Sequence, residues 1–236
     1  MVVSIPPLRP VVWQTSYRII ASRYPPIELF ERTGLDEEAV RALIGLEQMT
    51  NPRIRQTLGD LSLVPEDRIV FGEGAGYVMA AFTHVNPHGS RFTDGSYGAW
   101  YAADSLNTAV AEHCHHWVRF ATDSADPPHN ADMRVLCARV DASLVHVGDL
   151  VERYRQRILD PADYRASRDF ARAVRGRDLP GLHYASVRAP GGMCVCLLRP
   201  DCVTLPVRQE RHLQYHWNGQ RVDRVFDYAE DCWRPL

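Results

Sequence analysis

The stretch SRFTDGSYGAWYAADSLNTAVAEHCHHWVRF, residues 90–120, decides how this chain reads. Trp100-Tyr101-Ala102-Ala103 is short, apolar and aromatic, which predicts a buried strand. Asp104 or Ser105 then offers a side-chain oxygen of the kind that caps a helix N-terminus. Beyond it Leu106, Ala109, Val110, His113 and Trp117 recur at helical spacing and form one stripe for a core. Glu112 sits at the edge of that stripe, one helical step from Thr108 and His116. A carboxylate so placed can look into a cleft rather than out to bulk water.

Working outward, residues 11–20 (VVWQTSYRII) are β-branched and aromatic and predict a strand, broken by Tyr24-Pro25-Pro26. Residues 36–48 carry Ala39, Val40, Leu43 and Leu46 at helical spacing, with acidic residues in the first turn. Residues 69–84 are apolar and glycine-punctuated, compatible with strand, helix or both. On the C-terminal side, 133–140 and 144–147 read as strands and 161–174 as a helix with a basic outer face. Short strands are expected at 183–187, 193–198 and 203–207, and Asn218-Gly219 signals a two-residue hairpin turn. The expectation is one mixed α+β domain over residues 1–236, with a mostly antiparallel central sheet and a helical elaboration near residues 25–85.

Composition narrows the function. The chain has 236 residues, 45% hydrophobic and 24% charged, with formal net charge −2. All 27 basic residues are arginine. Lysine chemistry is therefore excluded: no phosphate-loop lysine, no Schiff base. With near-zero net charge and no long basic run, a nucleic-acid partner is not expected. No apolar run approaches the roughly 18 residues of a membrane span and no secretory leader is visible, so a cytoplasmic protein is expected, with its six cysteines reduced.

The usual catalytic signatures fit poorly. In the run His113-Cys114-His115-His116, successive helical residues diverge by about 100°, so at most two can face one ion. Cys194, Cys196 and Cys202 contain no CxxC pair, and no metal is expected. Gly72-Glu73-Gly74-Ala75-Gly76 and Gly191-Gly192 lack dinucleotide-fingerprint spacing. Ser186, in Tyr184-Ala185-Ser186-Val187-Arg188, is not in a nucleophile elbow and reads as strand. There remain Arg18, Arg91, Tyr101, Glu112 and Ser186, each with an ordinary structural account when taken alone.

Together they resemble the RES-domain family, the toxins of RES–Xre toxin–antitoxin pairs. Tyr17-Arg18-Ile19 looks like the family's first block. Gly89-Ser90-Arg91-Phe92, Tyr101-Ala102-Ala103 and Ala109-Val110-Ala111-Glu112 resemble its second, and Tyr184-Ala185-Ser186-Val187-Arg188 its third. Ser90, Phe92 and Ala185 depart from the family's glycine, tryptophan and proline, and the long segment between Arg18 and Arg91 resembles the family's longer branch. The resemblance implies an ADP-ribosyltransferase-like fold that acts on NAD as substrate without a metal. It implies Glu112, Arg91 and Ser186 as catalytic. It implies Arg18, Arg91, Tyr101 and Ser186 against NAD, with Arg23 and Tyr24 added in the longer branch. The bond broken would be nicotinamide–ribose, with phosphate or water as acceptor. The alternatives are ADP-ribosylation of a protein and, more distantly, a silent nucleotide-binding module. The resemblance also implies an Xre-type antitoxin as partner.

Overall fold

The computed structural model describes residues 4–24, 28–31 and 58–236. The expected helix at 36–48 lies outside the described residues. Four helices and eight strands are described. The strands are β1 (Leu8–Ala21), β2 (Trp100–Ala103), β3 (His129–His146), β4 (Gly181–Ala185), β5 (Met193–Leu197), β6 (Thr204–Trp217), β7 (Val222–Asp227) and β8 (Cys232–Pro235). The helices are α1 (Ala75–Thr83), α2 (Leu106–Asp123), α3 (Glu152–Ile158) and α4 (Arg165–Gly176). The fold is α+β. All strand pairs but one are antiparallel, the exception being β3 with β4.

The sheet order is β1-β2-β5-β4-β3-β6-β7-β8, and β1 also pairs with β3 along nearly its whole length. The strands β1, β2, β5, β4 and β3 thus close into a ring, from which β6, β7 and β8 extend. The ring is possible because β3 is long enough to bond β1 on one edge and both β4 and β6 on the other. Strand periodicity then sorts the core. Met133, Val135 and Cys137 of β3 face one cluster with Trp117 and Ala121 of α2 and Phe170 of α4. The intervening Leu136, Ala138 and Val140 face the other, with Val78, Met79 and Phe82 of α1.

Several expectations change here. The two strands expected at 133–140 and 144–147 are the single β3, because Asp141 to Ser143 stay paired to β1. The short strand expected at 203–207 is the start of the 14-residue β6. The helix expected at 161–174 begins at Arg165, since residues 160–163 form a turn in which Asp160 accepts the backbone N–H groups of Ala162 and Asp163. The open segment 69–84 resolves as α1 preceded by Gly74 at φ 79, where a Cβ would fall 2.0 Å from the Val207 carbonyl oxygen. Asn218 and Arg221 close the β6–β7 turn, so Gly219, at φ 93, and Gln220 are its two central residues.

The cap reading resolves onto Ser105, whose hydroxyl accepts the Thr108 N–H at 3.2 Å. From that cap α2 turns back along the sheet in the sense of β1. Arg18 is consequently a charge neighbour of His113, and the Arg23 guanidinium reaches the Phe120 ring.

Candidate active site

β4 ends at Ala185, so Ser186 opens a loop rather than continuing the strand as expected. That loop is fastened to α2. A Cβ on Gly192 would meet the Thr108 hydroxyl at 2.3 Å, so only glycine lets the two segments approach this closely. The Met193 N–H donates to the Asp104 carboxylate at 3.0 Å, and the Asp104 N–H returns a bond to the Met193 carbonyl. The loop thereby sets Ser186 against Glu112.

The Ser186 hydroxyl donates to Oε1 of Glu112 at 2.6 Å, and the Val187 N–H donates to the same oxygen at 3.1 Å. The Ser186 oxygen in turn accepts the N–H groups of Arg188 and Ala189 at 3.1 and 2.9 Å. A serine hydroxyl has one proton and two lone pairs, and all three are committed. Oε2 of Glu112 has no hydrogen-bond partner among the described residues. The carboxylate is therefore held on one side by neutral donors and left open on the other.

Arg188, Arg119 and Arg91 act with Glu112 on the charge of His115, and none of them is ion-paired with the Glu112 carboxylate among the described residues. Arg188 donates to Nε2 of His115 at 2.9 Å and to the Pro161 carbonyl, with Tyr164 alongside. Burial, then the charges of Arg188 and Arg119, keep His115 below its ordinary value, with Glu112 opposing. Neutral His115 is the form able to accept from Arg188.

The remaining expected residues occupy distinct places. Arg91 is 4% exposed and turned inward: its guanidinium lies 4.6 Å from the Tyr164 ring centre and donates to the carbonyls of Ile158 and Asp160. Tyr101 shares a 2.6 Å bond with Ser90 and accepts the Phe92 N–H, so its hydroxyl pins the segment that carries Arg91. Arg18 packs over Trp100 and donates to the Tyr101 carbonyl. Burial lowers it to about 10, which leaves it a cation at neutral pH. Arg23 and Tyr24 lie together at the other end of α2, beside Phe120. Glu112 and Ser186 thus meet directly, while Arg18, Tyr101 and Arg91 are linked to one another through backbone groups.

Sequence reasoning missed the roles of Tyr164, His115 and Arg188. Arg188 stood in the third motif, and His115 in the histidine run read for metal. Tyr164 carried no signal, because its importance arises from two arginines that reach it from distant segments. Among the described residues no group of three or more metal-ligating side chains converges. All six cysteines are free, and burial raises the Cys114 and Cys196 thiols to about 12. No helix among the described residues is long and apolar enough to cross a membrane. A cleft of about 180 Å³ lies elsewhere, lined by Phe82, Tyr97, Arg68, Arg175, Asp178 and Arg199 among others, and by none of the expected site residues.

A family model described as RES domain matches residues 65–218. Arg91, Tyr101, Glu112 and Ser186 fall inside the match, and Arg18, Arg23 and Tyr24 precede it. A relative from Sinorhizobium fredii (strain NBRC 101917 / NGR234), described as uncharacterized protein y4oC, is 31% identical over 222 residues, 93% of this chain and 90% of the relative. Among solved structures, the M. tuberculosis MbcT-MbcA toxin-antitoxin complex contains a chain of 12% identity and TM-score 0.43, covering 87% of this chain and 85% of that one. With the family model matching well over half of its length and the relative nearly all of it, this chain belongs to the RES domain family.

Proposed function

We propose that this chain consumes NAD by breaking the nicotinamide–ribose bond and passing the ADP-ribosyl group to phosphate or water. The observation that carries the reading is the Glu112 carboxylate, fixed through Oε1 by Ser186 and Val187 with Oε2 open. When the C–N bond breaks, its electron pair leaves with nicotinamide, which becomes neutral. The ribose anomeric carbon gains oxocarbenium character. A preorientated carboxylate offsets that charge and can hold a ribose hydroxyl. A phosphate oxygen, or water with loss of a proton, then bonds to the anomeric carbon. No strong general acid is needed, since the leaving group departs from a cationic ring.

The other residues fit supporting roles. Arg18 remains a cation at neutral pH and supplies a donor suited to the substrate diphosphate. Arg91, engaged with the Ile158 and Asp160 carbonyls, contributes its positive field and holds the segment beside Tyr164. Ser186, with its hydroxyl fully committed, orients Glu112 rather than touching NAD. As the family resemblance implies, an unopposed NAD consumer acts as a toxin and is matched by an antitoxin of the Xre type.

Incubation of the purified chain with NAD, with and without phosphate, tests the reaction by chromatography and phosphorus NMR. ADP-ribose phosphate formed only with phosphate is the expected result for a phosphorylase, and free ADP-ribose in both for a glycohydrolase. Intact NAD in both overturns the reading. Labelled ADP-ribose on a protein would then identify the transferase alternative.

A further inference from the structure

The far end of α2 carries an assembly that the Glu112 site does not use. The guanidinium of Arg23 lies 5.0 Å from the Tyr24 ring centre and 5.2 Å from that of Phe120, and its Nη2 donates to the Tyr24 hydroxyl at 3.1 Å. The two rings are 55% and 44% exposed, unusual for large aromatics grouped in one place. Trp117 supports Phe120 from beneath, with ring centres 5.8 Å apart. Stacked rings and guanidinium planes left open to solvent are the surface on which a nucleobase stacks.

Its position relative to Glu112 follows from helix geometry. Phe120 is eight residues on, or about 12 Å along the axis. That distance matches the reach of a ribose–diphosphate–ribose chain. Arg119, seven residues on, returns to within about 20° of the Glu112 face. It is exposed and has no carboxylate partner among the described residues. A diphosphate running down α2 from Glu112 would meet Arg119 first and the aromatic stack next.

We propose that the Tyr24–Arg23–Phe120 stack binds the adenine of NAD, with Arg119 facing the diphosphate, so that this end of α2 selects dinucleotides over mononucleotides. The inference rests on the NAD reading and adds the subsite to it. The stack holds substrate without entering the chemistry, so its loss acts on KM and leaves kcat nearly unchanged.

The test compares the parent protein with Phe120→Ala and Tyr24→Ala, using NAD and nicotinamide mononucleotide as paired substrates. Both substitutions are at exposed positions, which keeps the fold intact. KM for NAD is expected to rise about tenfold in each, with kcat within about twofold and nicotinamide mononucleotide turnover unchanged. Arg119→Ala should raise KM for NAD in the same way. Parent protein that consumes NAD, with both aromatic variants unchanged in KM, overturns the stack alone. An equal loss on both substrates also overturns it, since the mononucleotide has no adenine. A parent that neither binds nor consumes NAD overturns the NAD reading and the stack together.

Discussion

Two arginine-rich regions of this molecule treat their carboxylates in opposite ways. In the cleft beside α1 and α4, Asp178 receives Arg68 at 2.7 Å and Arg199 at 3.3 Å, while Asp201 receives Arg199 as well. Every carboxylate there is matched by a guanidinium. At Glu112 the carboxylate is held by a hydroxyl and a backbone N–H, and the nearby arginines are spent on carbonyls, a histidine and an aromatic ring. A charge neutralised by its partner has little field left for anything else, whereas one held by neutral donors keeps its field. The paired region reads as architecture and the unpaired one as a place for charge that arrives with substrate. Roominess does not separate them, since the 180 Å³ cleft is at the paired end.

The sharpest way to break this contrast is to remove one carboxylate from each region. Glu112→Gln should lower NAD turnover by about 10²–10³-fold with little change in melting temperature. Asp178→Asn should leave turnover unchanged and lower the melting temperature slightly, as expected of an exposed ion pair. Equal effects from the two, in turnover assays on folded protein, would abolish the distinction.

A smaller effect is expected from the group that aims Glu112. Ser186→Ala should lower kcat by about 10–100-fold with KM nearly unchanged, because the carboxylate loses its orientation and the substrate loses no contact. Ser186→Thr keeps the hydroxyl and should recover much of the loss. A rise in KM without loss of kcat would instead place Ser186 against the substrate.

The smallest effect separates the regions by pH. Burial, then the charges of His116 and Arg18, push His113 down to about 3, and its Nδ1 is buried without a partner. His183 is pushed down to about 4, by burial and then His146. Both prefer the neutral form when folded and carry ordinary values near 6.5 when unfolded. Their stabilisation is therefore full above about pH 6.5 and is lost as pH falls towards 4 and 3. Asp178 runs differently: Arg68 holds its carboxyl below 3.8, so its contribution disappears only below that value. Denaturant melts at pH 4–6.5 should show a flatter slope in His113→Phe and an unchanged slope in Asp178→Asn.

Much of the fold was legible in residue spacing. The strand at residues 100–103, the Ser105 cap and the α2 stripe all depend on neighbours within one or two turns, and the structure bears them out. The largest error fell where partners are distant, and a smaller one arose locally. β3 runs unbroken because β1 supplies its bonds, and nothing within residues 141–143 announces that. Asp160 captures two backbone N–H groups and delays α4, a local competition between side chain and helix that periodicity does not register.

For the site, the sequence by itself determined which chemistry is available: arginine without lysine, a lone Glu112 on a capped amphipathic helix, and a RES-like order of motifs. Tertiary structure alone decided how those groups are used. Ser186 and Glu112 are 74 residues apart and meet because the β2–β5–β4 pairing and the Gly192–Thr108 contact bring loop and helix together. Arg91 faces inward, where the Ile158 carbonyl at the end of α3 and the Asp160 carbonyl just beyond it take its donors. Local propensity acts over a few residues, whereas hydrogen-bond saturation and burial are properties of surfaces brought together from distant parts of the chain.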